Sequence, residues 1–274
     1  MNINCSGKLI DLSTPRVMGI LNLTPDSFFD GGNLKNDEDI LNKVEKMLNE
    51  GATFIDVGGY SSKPNANDVS ENEELKRVIP VIELLVNNYP DILISIDTFR
   101  STIVKKAVEA GACMINDISA GNLDLNMFAT VANLQVPYII MHMQGTPKTM
   151  QVNPTYNDIT QDIIFYFSQK LNTLRRLGVN DVLIDVGFGF GKTLEQNYEL
   201  LNNLDLFSNL DTPLLTGVSR KSMLYNVLET TPKEALNATT VANTIALLHG
   251  SSILRVHDVK EAIEAVKIVK KLKK

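Results

Sequence analysis

Several things are scarce in this chain of 274 residues, and each scarcity narrows the field. No apolar run approaches the roughly 18 residues that a membrane-crossing helix requires, so no membrane partner is expected. The opening MNINCSGKLIDLS lacks a basic flank followed by an apolar stretch; no secretory leader is read there, and a cytoplasmic location is expected. The two cysteines, Cys5 and Cys113, are too few for a disulfide framework, and Cys113 sits in an apolar run where a small buried thiol is expected. A broad basic surface is also missing: the formal net charge of −6 argues against nucleic-acid binding. The one basic cluster, KIVKKLKK, puts Ile268, Val269 and Leu272 at helical spacing with lysines free to face water, and reads as a solvated last helix. Internal repeats, low-complexity tracts and linkers are absent. With 44% hydrophobic and 21% charged residues, the composition suits an ordinary soluble core, and one domain over residues 1–274 is expected.

What is present is alternation. Runs suited to strands at 17–21, 53–58, 93–97, 113–116, 137–142, 182–185, 213–217 and 253–256 are separated by stretches of helical period, the signature of βα units and a parallel sheet. Most of the runs lack strict polar alternation, as strands covered on both faces do. Between the first two, Ile40, Leu41, Val44, Met47 and Leu48 mark a helical face, with capping candidates Asn36 and Asp37 before it and Gly51 after it. STIVKKAVEAG and DIIFYFSQKLNTLRRLG repeat that grammar. Residues 2–13 suggest a short hairpin about Gly7-Lys8 that plugs a barrel bottom. The predicted fold is therefore α/β, a (β/α)₈ TIM barrel with a short N-terminal hairpin, a fold that typically takes about 250 residues. Its runs end at Asn22, Gly58, Asp97, Asn116, His142, Asp185, the 217–221 segment and Arg255/His257, which a closed barrel would gather at one rim. The long non-periodic stretches 24–36, 60–72 and 144–156 directly follow strands and would be loops of that rim.

GFGFGKT invites a phosphate-loop reading that the spacing rejects. A Walker loop needs glycine five residues before Gly191, where Val186 stands, and G-x-G-x-x-G fails as well. What remains is Asp185 at a strand end, followed by three glycines that let the backbone pass close to a flat ligand, with Phe188 and Phe190 available as ring-contacting surfaces. Taken singly, Asp97 or Asp185 reads equally well as a loop cap. His257 alone is evenly divided between packing and function, His142 suits a stabiliser of the rim, and His249 reads as structural.

Taken together, MGILNLTPDSFFDGG, GATFIDVGGYSSKP, SIDTF, INDIS, MHMQGTPKTMQ, DVGFGFGKT, GVSRKS and RVHDV resemble the successive signatures of the dihydropteroate synthase family, in family order. The resemblance implies a barrel transferase of folate biosynthesis and a target of sulfonamides. Such an enzyme joins 6-hydroxymethyl-7,8-dihydropterin diphosphate to p-aminobenzoate and releases pyrophosphate. It also implies magnesium, with Asn22 as its protein ligand, and a homodimer. A pterin presents donors along one edge and acceptors along another, which carboxylates and an ammonium can satisfy. By resemblance, Asp185 takes the amino group and adjacent N–H, Lys221 donates to the carbonyl side, and Asn116 and Asp97 complete the far edge. Arg255, His257 and the backbone of Ser219 serve the diphosphate, with Arg255 suited to a bidentate clamp. Phe190, Pro64 and Ser222 form the amine pocket, with Ser62 and Lys63 also binding substrate. Two loops close over it, one contributing Phe28 and Asp30, the other Ser61 to Lys63.

The implied mechanism is dissociative, with Asp97 favouring a cation delocalised into the pterin and Lys221, Arg255 and His257 completing the catalytic set. The chain departs from the usual family wording in its second loop, where Ser61-Ser62-Lys63-Pro64-Asn65 replaces Ser-Thr-Arg-Pro-Gly. Lys63 keeps a charge but not a planar fork. Tyr60 and Val186 stand for the usual Glu and Pro. Two alternatives stay open at this point: methyl transfer from methyltetrahydrofolate to a corrinoid, which leaves SRKS and Arg255/His257 unexplained, and a non-catalytic pterin-binding descendant.

Overall fold

A computed structural model of the chain describes residues 1–24, 36–61 and 68–272. After a two-stranded antiparallel sheet, β1 (Asn2–Cys5) and β2 (Lys8–Asp11), eight strands form a closed barrel. They are β3 (Arg16–Asn22), β4 (Phe54–Gly58), β5 (Ile94–Asp97), β6 (Met114–Asp117), β7 (Tyr138–Met141), β8 (Val182–Asp185), β9 (Leu214–Thr216) and β10 (Ile253–Val256). Each barrel strand pairs in parallel with its sequence neighbours, and β10 closes the ring on β3 through Ile253 beside Arg16 and Val256 beside Gly19.

The barrel strands carry the apolar runs of the sequence and are buried almost throughout, because helices cover the outside and side chains fill the inside. Between them run α1 (Asp37–Glu50), α2 (Glu71–Asn88), α3 (Ser101–Glu109), α4 (Met127–Leu134), α5 (Ile159–Arg176), α6 (Leu194–Asn202), a 3₁₀ turn (Leu204–Leu210), α7 (Ser222–Tyr225), α8 (Leu236–Leu248) and α9 (Val259–Leu272). Helix α1 starts and stops where its sequence signals lie. The Asn36 side chain accepts from the Asp39 N–H, and Gly51 ends the helix at φ 106°. Among the described residues no helix is long and apolar enough to cross a membrane.

The hairpin is present, but its turn sits one residue earlier than Gly7-Lys8. Ser6 and Gly7 both take positive φ, 51° and 88°, as a two-residue turn matched to strand twist requires. Ile3, Cys5 and Leu12 pack against Met18, Phe54, Cys113, Met114, Ile139, Leu183, Leu215 and Ile253, closing the N-terminal mouth of the barrel. In α9 the buried stripe is Val259, Ala262, Ala265, Val266 and Val269. Of the three apolar residues the sequence pointed to, only Val269 belongs to it, since Ile268 and Leu272 are 64% and 67% exposed. Ile268 lies to the side of the stripe, whereas Leu272, seven residues after Ala265, continues its line at the last described residue of the helix.

Candidate active site

Parallel register alone builds the first wall of the site. Asn22 pairs with Gly58, Gly58 with Asp97 and Asp97 with Asn116, so the last residues of β3, β4 and β5 form one row with the penultimate residue of β6. Across this rim lies a cavity of about 410 Å³ whose lining includes Asn22, Ser61, Asp97, Phe190, Ser219, Lys221, Ser222, Arg255 and His257. Nine sequence-derived candidates thus share one mouth. Asn116 and Asp185 lie in its walls instead, each about 5% exposed.

Arg255, on β10, organises the wall. Its Nε donates to Asp56 Oδ2 at 2.6 Å and its Nη2 to Asp97 Oδ2 at 2.7 Å, while Asn116 Nδ2 donates to the same Asp56 oxygen at 3.0 Å. The side-on edge of the guanidinium is therefore taken by protein carboxylates. The bidentate clamp inferred from sequence is confined to the end-on edge, whose Nη1 donors and remaining Nη2 donor have no hydrogen-bond partner among the described residues. Burial works against the charge of Arg255, but Asp56 and Asp97 hold its proton above the usual arginine range. Asp97 is raised as well, up to about 7: burial dominates, Arg255 opposes it, and the carboxylates of Asp56, Glu74 and Asp117 add to the rise.

Asp185, Lys221 and the 187–190 turn form the second wall. Gly187 N–H donates to Asp185 Oδ1 at 2.8 Å, and Lys221 Nζ donates to the Phe188 carbonyl at 2.6 Å while lying 5.0 Å from the centre of the Phe190 ring. Burial raises the pKa of Asp185, against the pull of Lys221 and the Gly187 N–H. Lys221 is pushed down to about 8 by burial, with Asp185 opposing. Two expectations need correcting here. Phe188 and Phe190 both border the cavity, but the Phe188 side chain is fully buried in the main core and presents no exposed ring surface, which leaves Phe190 as the ring open to a ligand. Nor do all three glycines serve a ligand. A Cβ on Gly187 would lie 2.0 Å from the His142 carbonyl oxygen, and one on Gly191 within 3.0 Å of the Gln144 backbone. Those two glycines let the loop press against the segment leaving β7, and only Gly189 opens toward Lys221.

His257 and Ser219 make a third group. Ser219 Oγ lies 3.0 Å from His257 Nδ1 and accepts the His257 backbone N–H at 3.2 Å. Burial, then Arg255 and other nearby cations, push the imidazole down to about 3, so it is neutral at pH 7. Arg220 supports this corner with φ 54° and a bidentate pair to Asp258 at 2.8 and 2.9 Å. His142 holds the rim from within, its Nδ1 3.1 Å from Lys192 Nζ. His249 ends α8 and sits 3.5 Å from Asp205, away from the cavity lining. Phe28, Asp30, Ser62, Lys63 and Pro64 lie outside the described residues. Of the second-loop departures, Tyr60 is described: its ring stands edge-on to Phe99 at 5.1 Å and its hydroxyl donates to Asp68 at 3.3 Å.

Reasoning from sequence did not single out Asp56, Lys192 or Arg220. A usable signal existed for Asp56, a carboxylate in the otherwise apolar strand FIDVG. Lys192 stands in GFGFGKT, whose spacing does not make a phosphate loop. Met150, Tyr225 and Pro232 also line the cavity; Met150 falls within the quoted motif MHMQGTPKTMQ, and the other two carry no local signal.

A barrel with paired carboxylates, an ammonium and a guanidinium around one mouth has the equipment to read a polar heterocycle. The profile of the family described as pterin binding enzyme matches residues 18–257. Dihydropteroate synthase of Haemophilus influenzae is 43% identical over 270 residues, 98% of this chain and 98% of that protein. The crystal structure of the Yersinia pestis dihydropteroate synthase with a sulfonamide drug complex superposes with a TM-score of 0.95 at 42% identity, covering 100% of this chain and 99% of that one. The Xanthomonas albilineans enzyme in complex with 7,8-dihydropteroate gives 0.88 at 34% identity, covering 100% and 99%. The chain belongs to the dihydropteroate synthase family of pterin-binding barrel enzymes and is a transferase of that type.

Proposed function

We propose that the chain condenses 6-hydroxymethyl-7,8-dihydropterin diphosphate with p-aminobenzoate, giving 7,8-dihydropteroate and pyrophosphate. The observation that carries this reading is the sorting of charge around one cavity. Arg255, His257 and Ser219 meet on the leaving-group side, and Asp185 and Lys221 flank the 187–190 turn on the ring side. Its volume of about 410 Å³ suits a small ligand.

In this reading Asp185 accepts from the amino group and ring N–H of the pterin, Lys221 donates to its carbonyl, and Asn116 and Asp97 meet the far edge. The carbon–oxygen bond to diphosphate breaks first, and its electron pair leaves with pyrophosphate. Donors already in place stabilise the charge that develops there: the end-on edge of Arg255, and neutral His257. If the hydroxyl of Ser219 donates to Nδ1, Nε2 carries the ring proton as a donor. The cation left on the pterin lies beside the Asp97 carboxylate. The aryl amine, seated against Phe190 and Ser222, attacks the exocyclic carbon, and its surplus proton leaves to water. Ser61, which lines the cavity, and Phe28, Asp30, Ser62, Lys63 and Pro64, on the strength of the motifs alone, enter as loop residues that exclude water and contact the amine substrate.

Magnesium belongs to the same reading. Among the described residues no three His, Cys, Asp or Glu side chains cluster as a metal cage, whereas Asn22 brings one neutral oxygen to the cavity. That donor set fits an ion held largely by diphosphate oxygens and water, which when bound would neutralise leaving-group charge. A homodimer and a cytoplasmic location complete the proposal. Pyrophosphate release that requires both substrates tests it. The wild-type chain should release pyrophosphate in step with dihydropteroate, and Asp185→Asn should lose pterin binding while staying folded. Release with the pterin substrate alone, or none with both, rejects the proposal and leaves the corrinoid methyl transfer or the non-catalytic binder.

A further inference from the structure

Lys192 is a lysine in the wrong place for a lysine. It is only 3% exposed, and its Nζ lies 2.9 Å from the Gly187 carbonyl, 2.8 Å from that of Phe190, 3.1 Å from His142 Nδ1 and 3.3 Å from the His142 carbonyl. These four partners are neutral. Burying an amine against neutral acceptors is costly, and an apolar chain of similar length would fill the space without that cost. Burial drives its pKa well below the usual lysine range. Both charge states keep at least two N–H donors, enough for the carbonyls of Gly187 and Phe190.

Those two carbonyls bracket one turn, closed by Phe190 N–H donating to the Gly187 carbonyl at 3.0 Å. The amine grips the turn from its buried side and ties it to His142 at the exit of β7. That anchor is itself fixed, since the His142 ring stands edge-on to Tyr166 at 4.9 Å. The opposite side of the turn serves the cavity. Gly187 N–H aims Asp185, the Phe188 carbonyl receives Lys221, and the Phe190 ring lies by the Lys221 ammonium. Asn197 Oδ1 accepts from the Gly189 N–H and Gln151 Nε2 donates to the Gly189 carbonyl, each at 2.7 Å, but the two ends of the turn at Gly187 and Phe190 are held by the Lys192 amine, which touches neither Asp185 nor Lys221 by hydrogen bond.

We infer that Lys192 is a positioning residue for pterin recognition: its amine fixes the 187–190 turn and thereby the spacing of Asp185 and Lys221, while leaving the diphosphate side untouched. This inference rests on Asp185 and Lys221 being the pterin readers. Calorimetry with 6-hydroxymethylpterin and, separately, with inorganic pyrophosphate and magnesium tests it. In a folded Lys192→Met protein the pterin Kd should rise about tenfold or more, the scale of losing one or two buried hydrogen bonds, while pyrophosphate binds within about twofold of wild type. In turnover, KM for the pterin diphosphate should rise with kcat largely kept. Should Lys192→Met fail to fold, Lys192→Gln, with donors but without the reach to His142, should split the two affinities in the same direction. Unchanged pterin affinity in a folded variant, or an equal loss for both ligands, overturns the role of Lys192 alone. A wild-type chain that binds pyrophosphate but no pterin overturns the reading of Asp185 and Lys221 first, and this inference with it.

Discussion

A carboxylate poised near neutrality changes what a residue can do over one pH unit. Asp97 is raised to about 7 because burial and the neighbouring carboxylates of Asp56, Glu74 and Asp117 outweigh its bond to Arg255. Its raised pKa means the proton is held below about 7 and the negative charge exists above it. If that charge supports a cation on the pterin, kcat should fall as pH drops below 7, approaching tenfold per unit. Asp97→Asn should be slow and flat over the same range, and a wild-type pH profile level from 5 to 8 would contradict the role. The identity of Asp97 was legible as the polar end of an apolar run. Its charge state was not, because that depends first on burial and then on Arg255, 158 residues away in sequence and 2.7 Å away in space.

The 187–190 turn and its flanking strands show what an element demands. Gly187 and Gly178 take nearly the same left-handed backbone, φ 71° and 76°, yet a Cβ at 187 meets the His142 carbonyl oxygen at 2.0 Å and one at 178 meets nothing within 4 Å. Gly178→Ala should therefore cost only the backbone term, about 1–2 kcal/mol. Gly187→Ala should add a backbone clash, lower the stability further and weaken pterin binding. Denaturant titration of both variants checks the ordering; equal losses would mean the loop relaxes freely. Elements of this kind were half visible beforehand. Strand positions came through to within about a residue because apolar runs mark them, and the glycines were visible as glycines. What they pack against was not, since Gly187 and Gly191 answer to His142 and Gln144 on a different βα unit.

For the whole molecule, stability and recognition lie at opposite ends of the barrel. The hairpin buries Ile3, Cys5 and Leu12 against the barrel's lower layer, far along the strands from the rim of Asn22, Asp97 and Asp185. Deleting residues 1–13 should remove on the order of 1.5–3 kcal/mol for each large buried side chain and leave pterin affinity within a few fold where the shortened chain is still folded. Chemical denaturation and calorimetry together test this, and a pterin affinity lost in proportion to stability would refute the separation. The barrel was predictable from alternation, and the plug from its brief runs. The exposed position of Ile268 was not, because the phase of a helix is set by what it packs on. The ring closes by pairing β3 with β10, Arg16 beside Ile253. During synthesis on the ribosome the earliest barrel strand must wait, with one edge unpaired, until nearly all the others have emerged. The enzyme's site cannot exist in any nascent form that stops short of that last strand.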